Sequence, residues 1–357
     1  MIAKSKKSSP VQRAAAVLIF AVLAGVGLTD AYPAPPPLEF GTPTNLGPTV
    51  NTSYTDCAPS ISSDGLTLYF SDAPSNSHPG GYGGGDIWVA TRSGPSEAWD
   101  SLVNLGPPVN TSYGDAAPSI SSDGLSLFFS SGRPGGHGGL DLWVSRRPSL
   151  DDDWGTPENL GPTVNSDQFD SFPCISQDGL SLYFYSERPG GFGRGDLWVT
   201  RRTGLSQAWG PPGNLGPNVN SPADDGWPCL FANGLALMFN SNRAGGYGSY
   251  DLYMSTRPTT EEQWGQSFNL GAAVNSSSND GAPSISSDGR SLFFHSERPG
   301  GEGDLDLWQA PILAAPTCGD AEHPYPAVDL NKDCRVDLAD LAVLLAHWLE
   351  CTAPECE

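Results

Sequence analysis

The sequence predicts an all-β protein folded as a five-bladed β-propeller, with six blades as the alternative if one blade is degenerate. The first observation is a repeat of about 55 residues that occurs five times along the chain. Its most regular motif, GG-x-G-x-x-D-[LI]-[WY], ends at Trp88, Trp143, Trp198, Tyr253 and Trp308. Five copies at a nearly fixed period indicate a repeat architecture, so identical positions have to be compared before any single residue is interpreted.

The second observation is the pattern within one copy, which predicts strands rather than helices. Asp123-Gly124 reads as a hairpin turn because glycine tolerates a positive φ, and alternating apolar and polar residues follow a Gly-rich loop. The copy therefore predicts four short strands, at residues 118–121, 125–130, 141–146 and 154–160. Four strands per unit in a ring of units is the arrangement of a β-propeller.

The third observation concerns closure of the ring. Each motif is followed by a segment like Trp99–Gly106 (WDSLVNLG), but nothing similar follows Trp308. The missing segment stands at the other end of the chain, where Phe40–Gly47 reads FGTPTNLG. We therefore expect an N-terminal strand to complete the last blade, which removes an open sheet edge that would otherwise favour aggregation.

The N-terminus has the pattern of a secretory signal. Residues 1–31 begin with Lys4, Lys6, Lys7 and Arg13 and continue with an apolar run over residues 14–28. We expect this segment to be removed on export, with no transmembrane span left afterwards and a secreted, cell-surface or periplasmic location. A Pro-rich spacer is expected at 32–37, the propeller at 38–312, a linker at 313–317 and a separate module at 318–357.

The charge of the chain limits its partners. The formal net charge is −22 at pH 7, and removal of the basic signal makes it more negative. Such a surface repels phosphate backbones, so nucleic acid is not expected as a partner.

The repeat carries a family resemblance. The S-x-D-G-x-x-L-x-F-x-S pattern, followed by R-x-G-G-x-G-x-x-D-[LI]-[WY], resembles the WD-like propeller repeats of the TolB type found in bacterial envelope proteins, over roughly residues 40–310. The resemblance implies an exported propeller that binds something, and no particular ligand.

Candidate binding residues lie at the start of the innermost strands. Three residues before a repeated proline stands an aspartate in every copy: Asp56, Asp115, Asp170, Asp225 and Asp280. These acids predict either turn caps or a ring at one mouth of the channel that holds a cation or sugar hydroxyls. In the third and fourth copies Phe172 and Trp227 replace an alanine, and aromatic faces beside carboxylates suit the recognition of carbohydrate or of another envelope or extracellular component.

Two other functions stay open. Five-bladed propellers include glycoside hydrolases, which need blade-specific carboxylates. The non-repeated acids Glu158, Asp167 and Asp224 lie in loops without a paired context, so the sequence names no catalytic residue. A scaffold that binds only proteins is the third possibility.

The C-terminal module predicts a calcium site. Oxygen-bearing side chains stand at loop positions 1, 3, 5, 9 and 12, and a backbone carbonyl at position 7 completes the set: Asp329, Asn331, Asp333, Asp337, Asp340 and the carbonyl of Arg335. The predicted helix 338–350 follows at once. Loop and helix resemble a dockerin repeat, which implies a cohesin-like receptor. Position six is Cys334 instead of glycine and only one repeat is present, which weakens that implication; the pairing of the four nearby cysteines stays open.

Overall fold

The computed structural model describes residues 38–73 and 77–313, which form strands and no helix. Within this part of the chain no segment qualifies as a membrane-crossing helix. The predicted signal, the spacer, the calcium loop and the helix after it lie outside the described residues.

The strands form five sheets, one per repeat. Two short strands come first, β1 (Glu39–Phe40) and β2 (Thr44–Asn45). Blade 1 contains β3 (Cys57–Ile61), β4 (Thr67–Ser71), β5 (Ile87–Thr91) and β6 (Val103–Asn104), and blade 2 contains β7 (Asp115–Ile120), β8 (Ser126–Ser131), β9 (Asp141–Arg146) and β10 (Glu158–Asn159). Blade 3 contains β11 (Asp170–Ile175), β12 (Ser181–Ser186), β13 (Asp196–Arg201) and β14 (Gly213–Asn214). Blade 4 contains β15 (Asp225–Leu230), β16 (Ala236–Ser241), β17 (Asp251–Thr256) and β18 (Phe268–Asn269), and blade 5 contains β19 (Asp280–Ile285), β20 (Ser291–Ser296) and β21 (Asp306–Leu313).

The N-terminal strands complete blade 5, as the sequence predicts. In β2, Thr44 pairs with Gln309 and Asn45 with Trp308, which is the place that the fourth strand takes in the other blades. In β1, Phe40 pairs with Ile312 near the end of β21. The ring therefore has five blades, and the six-bladed alternative is wrong.

The apolar core lies between the blades. Five buried clusters each combine side chains of two neighbouring sheets. In the cluster between blades 1 and 2, for example, Ile87 packs with Phe129 and Trp143. Because each blade buries side chains against both neighbours, one blade has no complete core of its own.

A series of hydrogen bonds also joins the innermost strands. The N–H of Ile120 donates to Ser60 Oγ of blade 1, and the N–H of Ile175 donates to Ser119 Oγ of blade 2. In blade 3 the same acceptor position is Cys174, whose Sγ takes the N–H of Leu230 at 3.2 Å. Cys57, Cys174 and Cys229 are free thiols, and at this position Cys174 replaces a serine that accepts a hydrogen bond from the next blade.

The repeated N-L-G-x-x-V-N motif fastens the outer strand to the blade. In blade 2, Asn165 Oδ1 accepts the N–H of Leu142 and Asn165 Nδ2 donates to the carbonyl of the same residue. Asn165 Nδ2 also donates to Asn159 Oδ1, which in turn accepts the N–H of Gly161. Both asparagines are therefore explained by hydrogen bonds inside the blade.

Loss of the N-terminal strands should destabilise the ring. A chain that begins at residue 48 lacks β1 and β2, leaving β21 with an open edge and Phe40 absent from its cluster. We expect thermal unfolding at a lower temperature than in a chain that begins at residue 38, together with a larger share of dimers or aggregates by size-exclusion chromatography. Equal unfolding temperatures and two monomeric proteins would contradict this account of closure.

Candidate functional site around the central channel

The innermost strand of every blade has a bulge that faces the channel. At the bulge stands a non-glycine residue with a φ between 46° and 55°: Ala58, Ala117, Phe172, Trp227 and Ala282. The strand register shifts at the same point in each blade. Together with the prolines that follow, these residues line a cavity of only about 30 Å³, so the channel is nearly filled at this level.

Aromatic rings from three blades fill the channel. Phe172 and Trp227 stack on each other with ring centroids 3.6 Å apart and planes 17° apart. Tyr185 lies 5.6 Å from Phe172 on one side, and His295 lies 5.6 Å from Trp227 on the other. Phe172 and Trp227 keep part of their surface exposed, so their contact with a ligand stays a prediction.

The five aspartates of the predicted acid ring are buried in the blades. Asp56, Asp115, Asp170, Asp225 and Asp280 have no exposed surface. In blade 3, Asp170 Oδ2 accepts the N–H and the hydroxyl of Ser166, while Arg188 donates to Asp170 Oδ1 at 2.5 Å. Their carboxylates therefore fix the loop before the strand, which fits the turn-cap alternative; contact with a cation or a sugar stays a prediction.

The same ion pair recurs around the ring, with one exception. The pairs are Arg133 with Asp115, Arg188 with Asp170, Arg243 with Asp225, and Arg298 with Asp280. In blade 1, His78 from the longer loop takes the place of the arginine, and its Nε2 lies 2.8 Å from Asp56 Oδ1. Each guanidinium also lies over aromatic rings of its own blade, as Arg188 does over Trp198 at 5.3 Å.

A second group of polar residues at the channel was not predicted from the sequence. One position of the second strand holds a different residue in each of the last three blades: Tyr185, Asn240 and His295, against Ser71 and Ser130 in blades 1 and 2. Among the described residues, Trp227 Nε1, Asn240 Oδ1 and His295 Nδ1 are buried without a hydrogen-bond partner. The variation of this position among the blades was the signal available in the sequence.

The environment of His295 favours the neutral imidazole. Burial lowers the pKa of His295 to about 4, and the nearby Asp280 carboxylate only partly offsets this effect. Gly281 allows the close packing, because a Cβ there would lie 2.6 Å from His295 Nε2 and 2.9 Å from Asn240 Nδ2. The channel wall between blades 4 and 5 is thus tightly packed and contains polar groups.

This burial predicts a pH dependence of stability. Between pH 6.5 and 4 the unfolded chain binds a proton at His295 that the folded chain does not bind, so the free energy of unfolding falls as pH falls through that range. The full effect amounts to about 3 kcal/mol. We expect His295→Asn, the residue at the equivalent position of blade 4, to unfold in urea with a visibly smaller pH dependence over that range. An unchanged pH dependence would show that His295 is not the responsible group.

The loops at one end of the blades expose aromatic side chains. We call this end the GG-loop face; it consists of the loops between the second and third strands and the loops that lead to the next blade. Five of its aromatic residues are between 44% and 53% exposed: Tyr82, Tyr113, Phe169, Phe192 and Tyr247. Elsewhere in the described chain the exposed large apolar residues are aliphatic, such as Leu150 and Leu205. The aromatic surface therefore belongs to one face.

No metal site appears in the described part of the protein, where no group of three or more His, Cys, Asp or Glu side chains could hold an ion. The predicted calcium ligands fall beyond residue 313.

No protein-family model and no curated protein matches the sequence. Solved structures match the propeller. TolB from Acinetobacter baumannii is 16% identical, with 72% of this chain and 54% of that chain covered and a TM-score of 0.47, so this chain spans about half of that structure. An α-L-arabinofuranosidase from Podospora anserina, in complex with cellotriose, is 13% identical. The match covers 76% of this chain and 96% of that chain, with a TM-score of 0.51. A GH43 endo-arabinanase from Bacillus licheniformis is 14% identical. The match covers 75% of this chain and 97% of that chain, with a TM-score of 0.50. At such identities the likeness shows the shared propeller fold alone.

Proposed function

We propose that this protein is an exported binding protein without catalytic activity, whose propeller recognises carbohydrate on the GG-loop face. The observation that carries the proposal is the set of exposed aromatic residues there, at the corresponding loop position in blades 1, 3 and 4 (Tyr82, Phe192 and Tyr247). Exposed aromatic rings stack on the apolar faces of sugar rings, while nearby polar groups bind the hydroxyls. The basic and apolar start of the sequence supports export.

The charge of this face favours a neutral glycan. Acidic side chains at this end include Asp167, Glu187, Glu297 and Glu302, whereas Arg194 is the one exposed arginine here among the described residues. Arg194 itself lies 3.4 Å from Glu187. An acidic polymer would therefore be repelled, and the aromatic rings would supply most of the binding free energy.

Removal of two rings should weaken glycan binding. The mature chain from residue 32 is tested on an array of neutral polysaccharides that includes arabinan and cello-oligosaccharides. For a glycan that is retained, we expect Phe192→Ala with Tyr247→Ala to raise Kd by roughly 10-fold or more, because stacking contributes about 1 kcal/mol per ring. The matched control is Leu150→Ala with Leu205→Ala, which removes two exposed apolar side chains from the opposite face.

The outcomes separate the possible functions. A folded protein that retains no glycan would overturn the carbohydrate assignment and favour a protein partner. A glycoside hydrolase is the second candidate, because Asp224 is specific to blade 4 and its Oδ1 is buried without a hydrogen-bond partner. Release of sugar from a retained glycan, abolished in Asp224→Asn, would establish that alternative.

We also propose that residues 318–357 form a calcium-dependent attachment module. The support is the donor set, since Asp329, Asn331, Asp333, Asp337 and Asp340 supply the oxygen ligands that Ca²⁺ prefers, together with the carbonyl of Arg335. A cohesin-like receptor is the partner that the dockerin resemblance implies.

Calcium binding is measurable directly on the full mature chain. We expect one Ca²⁺ per chain by isothermal titration calorimetry, lost in Asp329→Ala with Asp333→Ala because two carboxylate ligands are gone. The Asp320→Asn variant, which changes an acidic residue outside the loop, should bind Ca²⁺ as the unchanged protein does. Calcium bound equally by all three proteins would place the site elsewhere.

A further inference from the structure

A large cleft opens between blades 3 and 4 at the end opposite to the GG-loop face. We call that end the DG-turn face, because the Asp-Gly and Asn-Gly turns lie there. The cleft has a volume of about 550 Å³, which is in the range of small-molecule sites. We call it the arginine cleft, after Arg201, Arg202 and Arg257 in its lining; Gln177, Tyr183 and Asn233 also line it.

Arg201 is exposed and has no ion pair within the described residues. Its equivalent in blade 2 is Arg146, which lies 2.6 Å from Glu158 on the neighbouring strand. In blade 3 the residue in the place of Glu158 is Gly213, since Val199 pairs with Gly213 as Val144 pairs with Glu158. The guanidinium of Arg201 therefore faces the cleft without the carboxylate that blade 2 provides.

The other two arginines are held in place. Arg202 Nε donates to the carbonyl of Gly179 at 2.8 Å, and Arg257 Nε donates to that of Gly234 at 2.8 Å. The two guanidinium groups stack on Trp209 and Trp264, with distances of 4.4 Å and 4.2 Å to the ring centroids. They consequently form a fixed positive wall, beside which the exposed Arg201 side chain can adjust to a ligand.

The charge balance of the cleft differs from that of the rest of the protein. Its lining contains two carboxylates, Asp178 and Glu261, against three guanidinium groups. Asp178 Oδ1 already accepts hydrogen bonds from the hydroxyl of Ser176 and the N–H of Leu180, so this carboxylate stabilises the Asp-Gly turn. The cleft is therefore locally positive in a chain with a net charge of −22.

The corresponding cleft between blades 1 and 2 shows that this charge is not a property of the repeat. That cleft has a similar volume of about 470 Å³ but only one arginine, Arg147, together with Asp64 and Asp123. Where Arg201 stands in blade 3, Thr91 stands in blade 1. The cleft between blades 2 and 3 has two arginines, Arg146 and Arg202, so neither of these two clefts reaches the three of blades 3 and 4.

We propose that the arginine cleft binds the carboxylate of a hydroxyl-rich ligand, such as a uronic acid residue of an acidic oligosaccharide. Guanidinium groups bind carboxylates through two parallel hydrogen bonds, with Arg201 as the main contact. Gln177, Asn233 and Thr260 add donors and acceptors that match sugar hydroxyls. This site is distinct from the neutral-glycan surface of the GG-loop face and does not depend on it.

Calorimetric titration of the full mature chain with tri-galacturonate tests the proposal. We expect binding that weakens with added salt, and a Kd that is roughly 10- to 100-fold higher in Arg201→Gln, because a charge-assisted contact is lost. Gly213→Glu should weaken binding similarly, since it gives Arg201 the partner that Arg146 has. The backbone tolerates that change, because a Cβ at Gly213 meets nothing within 4 Å.

The controls decide the ligand class. Arg146→Gln removes the equivalent but paired arginine and should leave Kd unchanged. The methyl-esterified trisaccharide, which is neutral, should not compete with tri-galacturonate for the cleft. Equal Kd values in Arg201→Gln and the unchanged protein, or no binding of tri-galacturonate to the folded protein, would overturn the site. Sodium sulfate that competes at the same concentration as the trisaccharide would overturn the saccharide assignment.

Discussion

The fold depends on one constraint, which is that the first strand of the ring must reach the last. In blades 1 to 4 the last asparagine of the N-L-G-x-x-V-N motif forms hydrogen bonds with a strand residue 23 positions earlier, as Asn110 does with Ile87. In blade 5 the same bonds join Asn51 to Leu307, which are 256 residues apart. A loop of that length costs roughly 2 kcal/mol more to close. The additional strand β1 and the buried contact of Phe40 with Ile312 help to offset that cost.

Most of the repeated polar residues stabilise the blade to which they belong. The aspartate at the start of the innermost strand binds the arginine of the same blade, and the aspartate at the start of the third strand accepts N–H groups of the Gly-rich loop, as Asp196 does from Phe192 and Gly193. These residues are identical because every blade has the same backbone to satisfy. Ligand recognition must therefore come from positions at which the blades differ.

This distinction explains what the sequence could predict. The period and the missing outer strand were sufficient for blade number and closure, because both depend on repeated residues. For the aspartates at the channel the spacing left two roles open, turn caps or ligands, because it places Asp170 near a mouth but does not show its burial. A constant offset of 18 residues links four of these five aspartates to an arginine, and that offset was the available signal. Asn240 and His295 were missed because their closeness to Gly281, and the contact of His295 with Trp227, depend on the bulge of the innermost strand.

The buried charges also make the two faces chemically different. At the GG-loop end, blades 2 to 5 each contain two buried aspartates and one arginine with little exposed surface, as blade 3 does with Asp170, Asp196 and Arg188. At the opposite end, arginines such as Arg202 stack on tryptophan with donors left over. Salt screens such fields beyond about 8 Å, so the difference acts at the surface of each face. This separation of charge favours neutral sugar rings as ligands at the GG-loop face and ligands with acidic groups at the DG-turn face.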